Sequence, residues 1–198
     1  SGLRSIVIPS GVKEIGGEAF VGCSALEEIS IPESVVSVGE AAFDSTLWYD
    51  SLPNGVVYVG KTLYKYKGEM LTDTSIVVKD GVVSVSSYAF RDCLGLRSID
   101  LPESLTSINI GAFENCLSLS SIVIPKDIIE VNSRAFVGCA ALDTMVWNAK
   151  YSNHALPVDG VRSQIRYLIF GDDVVNVPAY FCTNMSALKS VRIGLNVK

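Results

Sequence analysis

Five cysteines are the residues of this chain whose types and spacing could most readily support redox or metal chemistry. Cys23, Cys93, Cys116 and Cys139 hold one position of a repeating pattern, and Cys182 sits three residues before it in its own repeat. Stacked cysteines with Cα atoms ~5 Å apart would fall within disulfide range. A spacing of 23 residues is not a zinc pattern, however, and the count is odd. We therefore expect core thiols, which behave as small hydrophobes, and no cofactor or metal.

His154 is the only histidine, so a Cys-His or Ser-His-Asp site would have to use it. It lies in an irregular stretch, and no cysteine or serine stands in a recognisable nucleophile context. The adjacent carboxylate pairs, Glu27-Glu28 and Asp172-Asp173, are expected on the solvated surface. The prediction is a non-catalytic protein, with a hydrolytic enzyme using His154 as the weakest alternative.

Charge and hydropathy exclude two classes of partner. The net charge is −5, and the 16 basic residues form no cluster that could follow a phosphate backbone, so nucleic acid is not expected. Hydrophobic residues make up 48% of the chain. No apolar run approaches the ~18 residues of a membrane span, so this segment is not expected to insert into a bilayer. A stacked core explains the composition.

The elements that must position these residues are defined by an internal repeat. Residues 96–118 read LRSIDLPESLTSINIGAFENCLS, and residues 119–141 read LSSIVIPKDIIEVNSRAFVGCAA. They match at nine positions with a step of 23 residues and no gap. A fixed period of this size is typical of a solenoid, in which each coil contacts only its neighbours.

Each repeat predicts the same sequence of elements. L-x-x-I-x-I is a short strand with alternating inward and outward side chains, and a proline after it ends the ladder. V-x-x-I is a second short extended segment, a glycine makes the corner, and A-F-x-x-C is a one-turn helix. Parallel stacking at ~4.8 Å per coil would align one ring from each regular coil into an aromatic spine of Phe20, Phe43, Phe90, Phe113 and Phe136.

The pattern L-x-x-I-x-I-P-x-x-V-x-x-I-G-x-x-A-F-x-x-C resembles the consensus of the BspA-like class of bacterial leucine-rich repeats, strongly at 3–45 and 76–142 and more loosely at 165–198. The resemblance implies a right-handed solenoid, secreted or displayed on a bacterial surface, that acts in adhesion or host-protein binding. We predict one β-rich α/β solenoid domain over 1–198. Its coils start near residues 3, 26, 49, 73, 96, 119, 142, 165 and 188, with irregular slots at 47–72 and 148–164.

The first candidate binding region is the slot at 47–72, here called the aromatic slot. It holds Trp48, Tyr49, Tyr58, Tyr64 and Tyr66, and residues 57–64 read as a hairpin with a Gly-Lys turn. Insertions in solenoids tend to map to binding surfaces, and clustered rings could stack on sugar or anchor a protein. The alternative is that these rings pack back on the solenoid to replace the missing repeat core.

The second candidate is the outward row of the L-x-x-I-x-I strands, which reads Val7, Ser30, Val77, Asp100, Val123, Val146, Ile169 and Arg192. The row is apolar from Val123 to Ile169, and Arg166 and Tyr167 adjoin it. An exposed apolar patch on the sheet face of a solenoid suggests a partner. Cover by a neighbouring loop or by a second copy is the alternative.

Neither end of the chain carries an evident polar cap, which solenoids need for solubility. We therefore expect a fragment of a longer array, or an end-to-end dimer. The functional prediction is a non-catalytic extracellular module at the bacterial cell surface that binds a host or neighbouring-cell protein or glycan. A structural spacer that projects other domains from the cell surface is the alternative.

Overall fold

The structure is a computed structural model, and it describes residues 2–150, 158–177 and 180–197. The chain forms a β-solenoid of about eight turns of ~23 residues with little helix, as the repeat predicts. In chain order the elements are β1 (Ser5–Val7), β2 (Glu14–Ile15), β3 (Glu28–Ser30), β4 (Ser37–Val38), α1 (Leu47–Ser51), β5 (Gly55–Val59), β6 (Thr62–Lys67), β7 (Thr74–Val77), β8 (Ser84–Val85), β9 (Leu96–Asp100), β10 (Ser107–Ile108), β11 (Ser121–Ile124), β12 (Glu130–Val131), β13 (Thr144–Trp147), β14 (Tyr167–Phe170) and β15 (Ser190–Arg192).

The strands of successive coils pair in parallel with the period of the sequence. Ser121 pairs with Thr144, and Thr144 with Tyr167. Side chains alternate as predicted, since Ile122 and Ile124 are buried while Val123 between them is exposed. The L-x-x-I-x-I row is divided into the sheets β1–β3, β7–β9 and β11–β13–β14–β15. The second extended segments of the coils form a second row, which is divided into the sheets β2–β4 and β5–β6–β8–β10–β12.

The A-F-x-x-C segments form consecutive turns. The prediction of a one-turn helix in each of them is wrong in this detail. In the first coil the N–H groups of Ala19, Val21 and Cys23 each donate to the carbonyl three residues back. Glu18 and Gly22 have φ of 57° and 70°, and such left-handed residues cannot continue a right-handed helix. The same conformation recurs in other coils at Ala41, Ser45, Tyr88, Asp92, Gly111, Asn115 and Gly138.

These turns also join neighbouring coils through a second set of backbone hydrogen bonds, here called the turn ladder. Alternate N–H groups of one coil donate to carbonyl groups of the next. The pairs are Glu18 to Glu40, Phe20 to Ala42 and Gly22 to Asp44, and then Tyr88 to Ile110, Phe90 to Ala112 and Asp92 to Glu114.

The predicted aromatic spine exists as two stacks. Phe20 lies parallel to Phe43 with ring centroids 5.5 Å apart. Phe90, Phe113 and Phe136 form the second stack, with centroids 5.5 and 5.4 Å apart and planes within 3°. Between the stacks lies the aromatic slot, where the regular ring is missing.

The aromatic slot contains α1 and the predicted hairpin. Thr46 caps α1 by accepting the Tyr49 N–H at 3.1 Å. In the hairpin, Val59 pairs with Thr62 across the turn. Strand β6 then joins the second row, where Leu63 pairs with Val85. Of the residues that the structure describes, only those of α1 form an α-helix, and no helix among them has the length and hydropathy to cross a bilayer.

Side chains from the two faces of the hairpin enter two separate core clusters. Val57, Val59 and Tyr64 pack with the core of the first two coils. Leu63 packs with the core of the later coils, and Tyr66 lies against it. Strand side chains alternate between faces, and the register shift between Val57 and Tyr58 leaves Tyr64 as an extra residue on β6. Leu63 and Tyr66, on either side of it, therefore face the same core, and one hairpin closes two cores.

In the coil near residue 165 a large and a small residue have exchanged positions. Tyr180 has a φ of 63°, so the backbone places Cys182 at the phenylalanine position, as the sequence predicted, and Phe181 at the alanine position. Phe181 is buried against Trp147 and Phe170, at centroid distances of 5.5 and 4.9 Å. A buried ring is retained in this coil although the motif is lost.

Replacing the central ring of the second stack tests this packing. Phe113→Ala should lower the free energy of unfolding by about 3–5 kcal/mol, because a fully buried ring leaves a cavity between two stacked neighbours. Denaturant unfolding followed by circular dichroism measures the change. Val77→Ala, on an exposed side chain, is the control and should cost less than about 0.5 kcal/mol. Equal losses in the two variants would contradict the stack as a core element.

Candidate functional site

The aromatic slot places its five candidate residues at three levels of burial. Tyr49 and Tyr64 are buried, at 9% and 2% exposure. Trp48, Tyr58 and Tyr66 are partly buried against the core. Tyr49 and Tyr64 therefore offer little ring surface to a ligand while the slot remains folded.

The rings of the slot surround Phe43, where the first stack ends. Trp48 lies 4.9 Å from Phe43 in a tilted arrangement, and Tyr64 meets it edge-on at 5.6 Å. Tyr49 meets Tyr64 edge-on at 6.0 Å. On the other side of the hairpin, Tyr66 lies 6.3 Å from Phe90. This geometry matches the alternative interpretation, in which the rings pack back on the solenoid and replace the missing repeat core.

Tyr64 also replaces one backbone hydrogen bond of the turn ladder. Its hydroxyl oxygen accepts the N–H of Phe43 at 3.3 Å, and the hydroxyl donates to Asp44 Oδ1 at 3.3 Å. Lys65 Nζ pairs with Asp44 Oδ2 at 3.0 Å. Burial raises the pKa of Tyr64 well above its usual range and that of Tyr49 to about 12, so both phenols stay protonated at neutral pH.

Tyr58 and Tyr66 are partly buried against the solenoid core, and Tyr58 also contacts a lysine. The Lys79 ammonium lies 4.3 Å from the centroid of the Tyr58 ring, a cation–π distance. The Tyr58 hydroxyl accepts the Lys79 N–H at 3.4 Å. These contacts hold Tyr58 to the start of the next coil.

The sheet face brings the second set of candidates together. Val123, Val146 and Ile169 pair side by side across β11, β13 and β14. Tyr167, two residues before Ile169 on β14, is 42% exposed, and Val123 is 48% exposed. We call these four residues the sheet-face patch. Arg166 is exposed immediately before β14.

The remainder of the predicted outward row is not continuous with this patch. The row is interrupted at the aromatic slot and again between β9 and β11, which are not hydrogen-bonded as one sheet. Val7 and Val77 are each about three-quarters exposed but lie on separate two-stranded sheets. Among the described residues of this outward row, neighbouring apolar side chains therefore occur only at the sheet-face patch.

The cysteines are free thiols of the core and its margin. Cys93, Cys116 and Cys139 are buried, and Cys23 and Cys182 are partly buried. Burial raises the pKa of Cys93 to about 12. A hydrogen bond with Cys139, together with burial, raises the pKa of Cys116 far above its usual range. Both therefore remain protonated and poorly nucleophilic.

Among the described residues, the other chemical candidates form no reactive cluster. Glu27 pairs with Arg4 at 3.3 Å, and Asp172 accepts the Leu195 N–H at 3.0 Å. Within residues 2–150, 158–177 and 180–197, no group of three or more His, Cys, Asp or Glu side chains could hold a metal ion. His154 lies in 151–157, outside the described residues.

One feature near the aromatic slot was not found from the sequence. A cleft opens beside Tyr64 between Glu40 and Ala41 on one side and Ser87 and Arg91 on the other. The feature of the sequence that indicates this cleft is a shortened spacing. Regular coils run five residues from the second strand to the phenylalanine, whereas Leu63 and Tyr66 are three apart.

The comparisons with known proteins agree with this geometry. A family model described as the BspA type leucine-rich repeat region matches residues 1–71 and 59–155, with six copies. No curated protein matches the chain. A leucine-rich repeat protein from Eubacterium ventriosum is 22% identical over 99% of this chain, with a TM-score of 0.62, and shares its fold. The chain spans 56% of that protein's length.

Two further solved structures resemble the chain more distantly. A leucine-rich cell surface protein from Faecalibacterium prausnitzii is 19% identical, with 96% of this chain and 60% of that chain covered and a TM-score of 0.41. The pneumococcal vaccine antigen PcpA is 18% identical, with 99% and 57% covered and a TM-score of 0.44.

The hydroxyl of Tyr64 can be tested by its removal. Tyr64→Phe should lower the free energy of unfolding by about 1–3 kcal/mol, because the buried Phe43 N–H loses its acceptor. Tyr58→Phe is the matched control, since its hydroxyl accepts one long bond at an exposed position, and it should cost less than about 1 kcal/mol. Denaturant midpoints give both values. A Tyr64→Phe protein as stable as the parent would rule out the proposed replacement of the ladder bond.

Thiol accessibility provides a second test of the site. In the folded protein, iodoacetamide should modify Cys23 well before Cys93, Cys116 and Cys139, because the latter three are buried. Mass spectrometry of proteolytic peptides after timed alkylation measures each rate. In urea all the cysteines should react at similar rates. Native modification of Cys116 as fast as that of Cys23 would contradict the buried-thiol assignment.

Proposed function

This chain belongs to the BspA-type leucine-rich repeat family, and on that premise we propose that it is a non-catalytic module that binds a protein partner through the sheet-face patch. The observation that carries the proposal is the contiguous apolar row of Val123, Val146 and Ile169 with Tyr167 beside it. Val123 and Tyr167 are exposed, and Val146 and Ile169 between and beside them are half-buried. Apolar side chains presented in one register on a sheet face are typical of interaction surfaces.

The patch is held rigidly by the residues beneath it. The inward side chains of the same three strands are all buried, namely Ile122, Ile124, Met145, Trp147, Leu168 and Phe170. The parallel ladder fixes the backbone of each strand on both sides of β13. A surface that is already ordered loses little conformational entropy when a partner binds, and this raises affinity for a given contact area.

The chemistry of the patch favours a protein over a glycan. Sugar recognition by stacking needs open aromatic faces, whereas two rings of the aromatic slot are buried and the other three are partly buried against the core. The patch offers aliphatic side chains and a single tyrosine. Arg166 and the Asp143–Thr144 pair, joined by a 2.8 Å hydrogen bond, supply a polar rim.

We also propose that the module acts outside the cell, on the bacterial surface, where it binds a host or neighbouring-cell protein. The family to which the chain belongs supports this location. The thiols of Cys93, Cys116 and Cys139 remain reduced there by burial, because an oxidising compartment would pair accessible thiols.

Binding to an array of purified extracellular-matrix proteins and glycans tests the proposal. We expect at least one protein to bind the parent chain. A patch variant with Val123→Ser, Tyr167→Ser and Ile169→Ser should bind at least about tenfold more weakly than the parent, as expected for loss of the central apolar anchors.

The matched control changes exposed apolar residues elsewhere, with Leu71→Ser, Val77→Ser and Ile129→Ser, and should bind like the parent. Circular dichroism verifies that both variants are folded. Equal losses in the two variants, binding to glycans alone, or no binding at all would overturn the proposal, and the last result would favour a structural spacer.

A further inference from the structure

The aromatic slot omits the corner that every regular coil builds. Val38 to Phe43 and Val85 to Phe90 each span five residues, with a left-handed residue in between, whereas Leu63 to Tyr66 spans three and is extended. Strand β6 therefore runs straight past the position at which a regular coil turns its corner. Outside it lies a cleft of about 210 Å³, here called the corner cleft, lined by Glu40, Ala41, Asp44, Ser87 and Arg91 among others.

The turn ladder is incomplete on both walls of the corner cleft. The middle position is filled, because the Tyr64 hydroxyl accepts the Phe43 N–H and the Tyr66 N–H donates to the Ala89 carbonyl at 2.7 Å. In the part of the chain that the structure describes, the N–H groups of Ala41 and Ser45 have no backbone hydrogen-bond partner, and neither do the carbonyls of Ser87 and Arg91. Their equivalents between the first two coils, Glu18 to Glu40 and Gly22 to Asp44, are bonded at 2.8 and 3.0 Å.

The spacing of the two walls suits a single polypeptide backbone. The coils that carry Ala41 and Ser87 are two steps apart in the solenoid, and each step is one strand separation of about 4.8 Å. One extended segment between them would stand at hydrogen-bond distance from both. It would accept from the donors on one wall and donate to the acceptors on the other, as a strand does when it is added to an open sheet edge.

The charged residues that line the cleft indicate which type of side chain such a segment would carry. Lys65 is paired with Asp44, and Arg91 lies 3.6 Å from both Asp92 and Glu114. Among the described residues, Glu40 on the cleft wall forms no ion pair. One uncompensated carboxylate therefore remains, and it favours a cationic side chain.

We propose that the corner cleft binds the backbone of an extended peptide segment that carries a lysine or arginine. The peptide carbonyl accepts the Ala41 N–H, a peptide N–H donates to the Ser87 carbonyl, and the basic side chain faces Glu40. This site is separate from the sheet-face patch, so the module has a second surface for an unfolded or terminal segment of a partner protein.

Two blocked tripeptides, acetyl-Ala-Lys-Ala-amide and acetyl-Ala-Glu-Ala-amide, serve as probes and are titrated to millimolar concentration into ¹⁵N-labelled protein. We expect the lysine peptide to shift the amide resonances of Ala41 and Ser45 and to bind about threefold more tightly than the glutamate peptide, the scale of one solvent-exposed ion pair. Glu40→Lys should reverse this preference. Ser87→Trp, which fills the cleft, should abolish binding of both peptides.

Glu103→Lys, on a distant exposed carboxylate, is the charge-matched control and should leave the preference unchanged. The unshifted resonances of each variant show whether it is folded, and Glu40→Lys keeps the test decisive if Ser87→Trp unfolds. The proposal is overturned if the lysine peptide leaves the Ala41 resonance unmoved, or if Glu40→Lys and Glu103→Lys have the same effect.

Discussion

Backbone hydrogen bonding between stacked coils is the constraint on which this structure depends. Its strands have two to six residues, too few to be stable alone. Each is held only because the next coil presents the same groups one strand separation away. A 23-residue step preserves that match in both strand rows and in the turn ladder. The same step places ring over ring and thiol over thiol, so the core is a consequence of the register.

The aromatic slot shows how the fold tolerates a coil that breaks this register. Between Val38 and Leu63 the chain is longer than one period by two residues, and from Leu63 to Val85 it is shorter by one. The longer part forms α1 and β5, and the shorter part omits the corner. The hairpin replaces most of the contacts that a regular coil would make, because its two faces close two cores and the Tyr64 hydroxyl supplies a missing hydrogen-bond acceptor. The ladder groups left over lie at the corner cleft.

The two proposed surfaces follow from different properties of one scaffold. The sheet-face patch arises where the coils are regular, because period-2 alternation forces one side chain of each strand outward and the sequence makes three of these apolar. The corner cleft arises where the coils are irregular and polar backbone groups lack their usual neighbour. Regularity thus supplies a rigid apolar surface, and irregularity supplies directional hydrogen-bonding groups.

The sequence by itself determined the family, the solenoid, the 23-residue register, the phenylalanine stacks and the hairpin, because each depends on a pattern that repeats or on a local turn. It also located the apolar row at Val123, Val146 and Ile169, since alternation places these residues outward. Only the tertiary structure decided that Tyr49 and Tyr64 are buried, because an aromatic residue in a degenerate slot can face either way. It also decided where the ladder is incomplete, since a missing hydrogen bond depends on coils far apart in the chain.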